Sequence, residues 1–366
     1  MDFTPTEEQR AARDLAARIF GDLATHERLA AAGTGTDAEL WKALCAVGLM
    51  EAVEETGLLG LVLLAEEQGR TTAQVPFTAS GVYGLLAVAR HGTEEQRVRL
   101  LPGLRDGTTV VTGAFPALPG VRRGGPGPGS GPGPGGEGVR AGGARGGRLT
   151  GTVGWVPWLR DATHVLVPDG DRALWLVRTA DLAGPVEEVE LTAPWSAGRL
   201  VLDGTPAEPV GGPGPEAYED VLAAARIAFA GLQAGVCAGS LARAIAYTST
   251  REQFGRPLSS NQAVQLRAAD AHMDTEAIRV TAYEAAWRYD QALPAAEHAL
   301  TAAWWASEAG KRVVHTGQHL HGGLGADLDH PVHRHFLWGR QLDAYLGCGT
   351  ELLAELGDLL AKGEPA

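Results

Sequence analysis

Apolar residues recur every three or four positions through residues 2–112, the period of helices that bury one face. Leu15, Ile19 and Leu23 mark one stripe; Leu40, Trp41, Leu44 and Val47 mark another, which stops at Gly48. Thr4 or Thr6 is placed to cap the first helix, with Glu7 and Glu8 at its positive end. Leu58 to Leu64 is almost unbroken apolar sequence, which predicts a helix buried on most sides. Thr93 opens a further helix, with Glu94 and Glu95 in its first turn.

At about Val110 the period shortens to that of strands. VVTGAF, RLTGTVGWV, THVLVP, RALWLVR and GRLVLDG are short, rich in Val, Leu and Thr, and separated by Gly, Pro and Asp. They predict a small β-barrel or sandwich. Within it, Ala117 to Gly147 has almost no apolar side chains to offset its ordering entropy and reads as a disordered Gly/Pro-rich loop. Helical periodicity returns from Ala217 to Leu360. One long helix runs to about Gly255, with Ala234, Gly235, Ala238 and Gly239 suited to close helix contact. Gln262–Tyr289 and Ala295–Leu320 follow, then His333–Leu360, interrupted near Gly347. A four-helix bundle is the economical packing. The chain is therefore expected to be mainly α with a central β-domain. The expected divisions are a helical domain over residues 1–109, a β-domain over 110–212 and a helical bundle over 213–366.

Composition narrows the function classes. A formal net charge of -13 argues against nucleic acid and anionic membranes as main partners. No apolar run is read as a membrane span, and the acidic, helical start does not read as a signal peptide. Cys45, Cys237 and Cys348 are scattered through apolar helical contexts and are expected to be buried thiols of a cytoplasmic protein. His315, His319, His321, His330, His333 and His335 crowd one segment without a third ligand beside the His315–His319 pair, so no metal is expected.

Two stretches carry candidate chemistry: TREQFGRPLSSNQAVQ, from Thr250 to Gln265, and HLHGGLG, from His319 to Gly325. Arg251 offers a fixed fork of donors for a phosphate, Phe254 a face for a flat ring, and Gly322, Gly323 and Gly325 a backbone that a ligand can approach closely. An anion held by arginine and by amides at a Gly-rich turn is a common arrangement for a pyrophosphate. Either stretch alone is an ordinary turn. Together, on a helical half and in this order, they resemble the acyl-CoA dehydrogenase family of flavoproteins. ELWKALCAVGLM, LLAEEQGR and HGTEEQRVRLLPGLRDG resemble that family's N-terminal helical domain.

The resemblance implies FAD shared between two subunits, one holding the adenine and pyrophosphate half, the other the reactive ring and an acyl-CoA or acyl-carrier-protein thioester. Arg251, Phe254, Gln262, Gly322 and Gly323 match the family's dinucleotide-binding residues, with His319 where glutamine is usual. Trp155 matches the tryptophan beside the flavin ring, but Pro157 replaces its threonine neighbour, and GAFPALPG replaces the family's Thr-Glu-Pro segment. The catalytic glutamate positions are Leu346 and Ala225, both apolar, so no catalytic residue is expected in this chain. Asp343 and Glu351 lie near in sequence but are read as solvated charges. The segment from His319 to Leu342 most resembles the short subunits of actinobacterial, steroid-catabolic type heteromers, in which one chain of two carries the base. The expectation is a non-catalytic partner subunit in a hetero-oligomer. The competing readings are a flavin-dependent oxygenase, isomerase or cyclase of secondary metabolism, a cofactor-free scaffold, and a dehydrogenase with Asp343 as displaced base.

Overall fold

The computed structural model describes residues 2–115, 138–142 and 147–363. Helices α1 (Glu7–Leu23), α2 (His26–Ala32), α3 (Ala38–Ala46) and α4 (Leu49–Thr71) come first. A helical stretch follows from α5 (Phe77–Ala79) through a π turn at Ser80–Leu86 to α6 (Ala87–His91), and then α7 (Glu94–Asp106). Of the two candidate caps, Thr6 holds α1 in a capping box with Gln9, and Thr93 does the same for α7 with Gln96.

Strands β1 (Val111–Gly113), β2 (Arg140–Gly142), β3 (Arg148–Val156), β4 (His164–Pro168), β5 (Leu174–Arg178), β6 (Glu187–Glu188), β7 (Gly198–Pro206) and β8 (Glu208–Val210) fill the middle. The rest is α8 (Glu216–Thr250), a hairpin of β9 (Glu252–Gln253) and β10 (Arg256–Pro257), α9 (Gln262–Asp290), α10 (Ala296–Leu320), α11 (Val332–Tyr345) and α12 (Gly349–Gly363). By length and composition α8 could cross a membrane, which corrects the expectation that no stretch could. Of its most apolar window 83% is buried, as in a core helix.

The chain divides into two compact units. The first comprises Met1–Gly33, Glu55–Gln74 and Ala223–Ala366. Here α4 breaks at Gly57, whose φ of 73° is non-helical, and restarts with Leu58 and Leu59 donating their amides to Asp290 at the end of α9. Leu58 and Leu61 to Ala65 are fully buried. At Gly235 a Cβ would come within 1.9 Å of the Glu66 carbonyl, so α4 and α8 pack backbone to backbone there. Glu66, almost fully buried, takes hydrogen bonds from Arg279, Tyr283 and Arg70. Burial pushes its carboxyl up, but Arg279, Arg70 and Tyr283 together offset that and hold it below the usual range.

The second unit comprises Thr34–Glu54 and Val75–Leu222. It holds two four-stranded sheets, ordered β1-β4-β5-β8 and β2-β3-β7-β6. Only β1 and β4 pair in parallel among the described strands. Leu149, Val156, Val165, Val177, Leu200 and Leu202 form their shared core.

Several expectations need correction. Most of the 117–147 stretch lies outside the described residues, but residues 138–142 within it are ordered. Val139 is buried, and Arg140–Gly142 pair with β3, whose edge would otherwise be open. The long C-terminal helix stops at Thr250 rather than reaching Gly255. Val47 is 48% exposed and Cys348 is half-buried, against the apolar stripe and buried thiol expected.

Candidate functional site

The end of α8 is set by a hairpin. Phe254 (φ 53°) and Gly255 (φ 76°) form a two-residue loop with both residues left-handed, the type that matches strand twist. Glycine adopts that conformation freely. For phenylalanine it costs about 1–2 kcal/mol. The strained ring is fully exposed at the hairpin tip. Arg251 sits at the hairpin base, donating its amide to the Tyr247 carbonyl (2.8 Å) and accepting from the Leu258 amide (2.9 Å). Its guanidinium is exposed and makes no hydrogen bond or ion pair among the described residues. Asn261 then caps α9, accepting from the Ala263 amide at 3.0 Å, so that Gln262 is the exposed first helical residue.

The glycine turn closes α10. Gly322 is left-handed (φ 61°) and opens a tight 3-10 turn, pinned by Gln318 Nε2 donating to the Gly325 carbonyl at 3.1 Å. A Cβ on Gly322 or Gly323 would meet no atom within 4 Å, so the backbone faces open space. His319 lies between two adjoining clefts. One, about 430 Å³, is lined by His315, Gln318, His319, Gly322 and Ala326. The other, about 510 Å³, is lined by Arg267, Lys311, Arg312, His315, His319 and Arg340. Lys311, Arg312 and Arg340 are engaged by Glu308, Asp274 and Asp343. Arg267 has no acidic partner among the described residues. A basic cleft on a chain of formal net charge -13 is suited to an anion.

One contact joins the two motifs, and sequence reading missed it. The Tyr247 ring stacks on His321, with centroids 4.9 Å apart and planes 20° apart. Tyr247 lies one turn before Arg251, and His321 immediately precedes Gly322. His321 is buried and its Nδ1 lies 2.7 Å from the Gly317 carbonyl, so Nδ1 carries the proton and donates. The His330 ring also packs against it, with centroids 5.0 Å apart and planes 60° apart. Partial burial, with help from His321 and Arg243, lowers the His330 pKa below the ordinary imidazole value. Among the described residues no group of three or more His, Cys, Asp or Glu could hold a metal ion.

The two positions at which the resemblance leads one to expect a base are filled by apolar side chains in the interior. Ala225 is 0% and Leu346 6% exposed. Beside them Phe229 meets Tyr345 edge-on at 4.8 Å. Arg226, next to Ala225, forms a two-bond ion pair with Glu355, at 3.0 and 2.7 Å. Asp343 is not a solvated charge: it accepts from Ser307 Oγ at 2.8 Å and pairs with Arg340 at 3.0 Å. Glu351 is exposed and accepts the Cys348 amide.

In the other unit, Trp155 is half-buried on β3. The Pro157 carbonyl accepts from Thr112 Oγ1 at 2.6 Å, and Trp158 (φ 61°) stacks on Trp195 at 6.0 Å. Of GAFPALPG, only Gly113 to Phe115 lie within the described residues.

Comparison with known proteins agrees with this layout over the whole chain. The acyl-CoA dehydrogenase N-terminal domain model matches residues 6–108 and the C-terminal domain model residues 212–355. Acyl-CoA dehydrogenase FadE27 of Mycobacterium tuberculosis is 34% identical, with 99% of each chain covered. The ChsE4–ChsE5 complex of the same organism is 33% identical, with a TM-score of 0.89 over 100% of each chain. The Tcur3481–Tcur3483 steroid acyl-CoA dehydrogenase variant is 41% identical, with a TM-score of 0.87 over 98% of each chain. With both halves of its motif placed on that architecture, this chain belongs to the acyl-CoA dehydrogenase family.

Proposed function

We propose that this chain is the non-catalytic subunit of a heteromeric acyl-CoA dehydrogenase, completing an FAD site whose ring-holding half belongs to a catalytic sister chain. The reading is carried by one observation: Ala225 and Leu346, the two places where the family puts its base, are apolar and buried. An acyl thioester α-proton is weakly acidic, and a positioned carboxylate is worth roughly 10²–10⁴-fold in rate. Neither methyl nor isobutyl can supply it. The nearby carboxylates Asp343 and Glu355 are committed to Arg340 and Arg226.

The dinucleotide half fits its ligand. Arg251 presents an uncommitted fork of donors to a pyrophosphate, Phe254 an exposed ring face to a flat heterocycle, and Gln262 and His319 hydrogen-bonding groups. The open backbone at Gly322–Gly323 leaves room for close approach. Bound FAD supplies the hydride acceptor. This chain's residues hold its nucleotide end and leave proton removal from the acyl-CoA or acyl-carrier-protein thioester to the sister chain. Two relatives are complexes of two different chains, one of them a steroid acyl-CoA dehydrogenase, which supports a heteromer acting on a lipid or steroid thioester.

Purification tests the reading. Expressed alone, the chain should be flavin-poor and inactive. Co-expressed with a homologous chain that carries a base glutamate, it should give a yellow, active complex. Desaturation of an acyl thioester by the lone chain with its own tightly held flavin would overturn the proposal.

A further inference from the structure

Gly239, Arg243 and Tyr247 follow one another at one-turn intervals along a single face of α8. The outer two are fixed against the ends of α10 and α11. A Cβ on Gly239 would come within 2.5 Å of His335 Nε2, and Tyr247 stacks on His321, whose ring packs against His330. Arg243 stands between them, opposite the turn from His330 to Arg334 where α11 begins. It is exposed and makes no hydrogen bond or ion pair among the described residues. Arg334 is half-buried. Its Nη2 donates to Gln74 Oε1 at 2.7 Å, but Gln74 is neutral, and Arg334 Nε is buried without a partner. No carboxylate pairs with Arg334 among the described residues. Burial pushes this guanidinium down to about 10. Three imidazoles complete the cluster. His330 Nδ1 accepts the Val332 amide at 3.3 Å, so its proton sits on Nε2 and is available to donate. His333 Nδ1 and His26 Nδ1 are buried with no partner. His26, at the start of α2, and Arg243 lie close enough to His330 to lower its pKa. The acid that faces His330 and His333 is Asp327, which is exposed and already accepts the Asp329 amide.

We infer that His26, Arg243, His330, His333 and Arg334 form a binding site for a phosphate dianion, either inorganic phosphate or the end of a phosphate monoester. A guanidinium withdrawn from water with no carboxylate is costly unless an anion reaches it. Two such guanidiniums match two negative charges, and their forks suit phosphate oxygens. The imidazoles, whose charged forms burial disfavours at His330 and His333, supply further N–H donors. Helix α11 starts behind Pro331, whose side chain can cap nothing, so the positive end of its dipole adds to the attraction. A single carboxylate would leave one guanidinium unbalanced. The site is distinct from the nucleotide motif. Arg251 lies eight residues farther on, about 12 Å along the axis of α8, and beyond the Tyr247–His321 stack. It needs no sister chain, and its test is independent of the function proposed above.

Inorganic phosphate and glycerol 3-phosphate are titrated into the full chain by calorimetry, and its melting temperature is followed against sodium chloride at matched ionic strength. One or both should bind and raise the melting temperature. Arg243→Gln and Arg334→Gln should each weaken binding at least about tenfold. Because Arg243 is exposed, Arg243→Gln should melt like the wild type in the absence of phosphate, and it decides the question even where Arg334→Gln does not fold. Arg251→Ala should bind phosphate as the wild type does. Tighter binding of glycerol 3-phosphate assigns the site to the end of a monoester, and tighter binding of inorganic phosphate assigns it to the free ion. Absence of binding by both, or an Arg243→Gln variant that binds as tightly as the wild type, overturns the inference. Loss of binding in Arg251→Ala overturns it too, since the phosphate would then sit at the nucleotide motif.

Discussion

Phe254 is held in a left-handed conformation that its side chain disfavours, and its ring is in solvent. Local stability does not account for either feature. Strain kept at an exposed aromatic suits a group that waits for a ligand. Phe254→Asn should relieve the backbone and raise stability by about 1 kcal/mol, seen as a higher urea midpoint of the isolated chain. The same change should lower flavin occupancy of the complex. Gain in both would show that the ring does not touch the nucleotide. Arg251→Ala removes a charge-assisted contact worth about 1.5–3 kcal/mol, so flavin affinity should fall roughly tenfold to a hundredfold. Arg251, Phe254 and Gly322 were legible in the sequence as candidates. The strain was not, because φ at Phe254 follows from the pairing of β9 with β10, two strands too short to announce themselves.

Helix contacts decide what those residues can do together. The Tyr247–His321 stack ties the end of α8 to the end of α10, and so joins Arg251 to the glycine turn. Tyr247→Ala should loosen that tie and weaken flavin binding, whereas Tyr247→Phe, which keeps the ring face, should preserve it; titration of the complex with FAD distinguishes them. Elsewhere in the same unit, Glu66 is buried against Arg279, Tyr283 and Arg70. Glu66→Ala would leave Arg279 with Glu276 as its remaining acidic partner and remove the acceptor of Tyr283 and Arg70, at a cost of about 1–3 kcal/mol, measured as a fall in the denaturant midpoint of the isolated chain. The helices themselves were predictable from period and caps. Their partners were not, because a stripe of apolar residues says that a face is buried and not against what.

Charge buried in the fold sets how the molecule as a whole responds to pH. Burial pushes the fully enclosed His335 down to about 4, its Nε2 lying 2.9 Å from the Arg70 carbonyl. The unfolded chain binds a proton near pH 6.5 that the folded chain refuses until about pH 4. This contribution to stability is therefore present above pH 6.5 and is lost as pH falls toward 4. His330 and His333, both lowered mainly by burial, add in the same direction. Unfolding free energies measured across that window should decline with acidification, and His335→Gln should flatten the slope.

The sequence by itself determined the order of helices, strands and helices, the presence of the two candidate motifs, and the apolar identity of residues 225 and 346. Those are matters of local period and residue type. Only the tertiary structure decided that Ala225 and Leu346 are shut in the interior, that Asp343 is spent on Ser307 and Arg340, and that one aromatic stack brings the two motifs together. Each of these depends on contacts between residues far apart in the chain, where packing and low dielectric, rather than spacing, determine what a side chain can do.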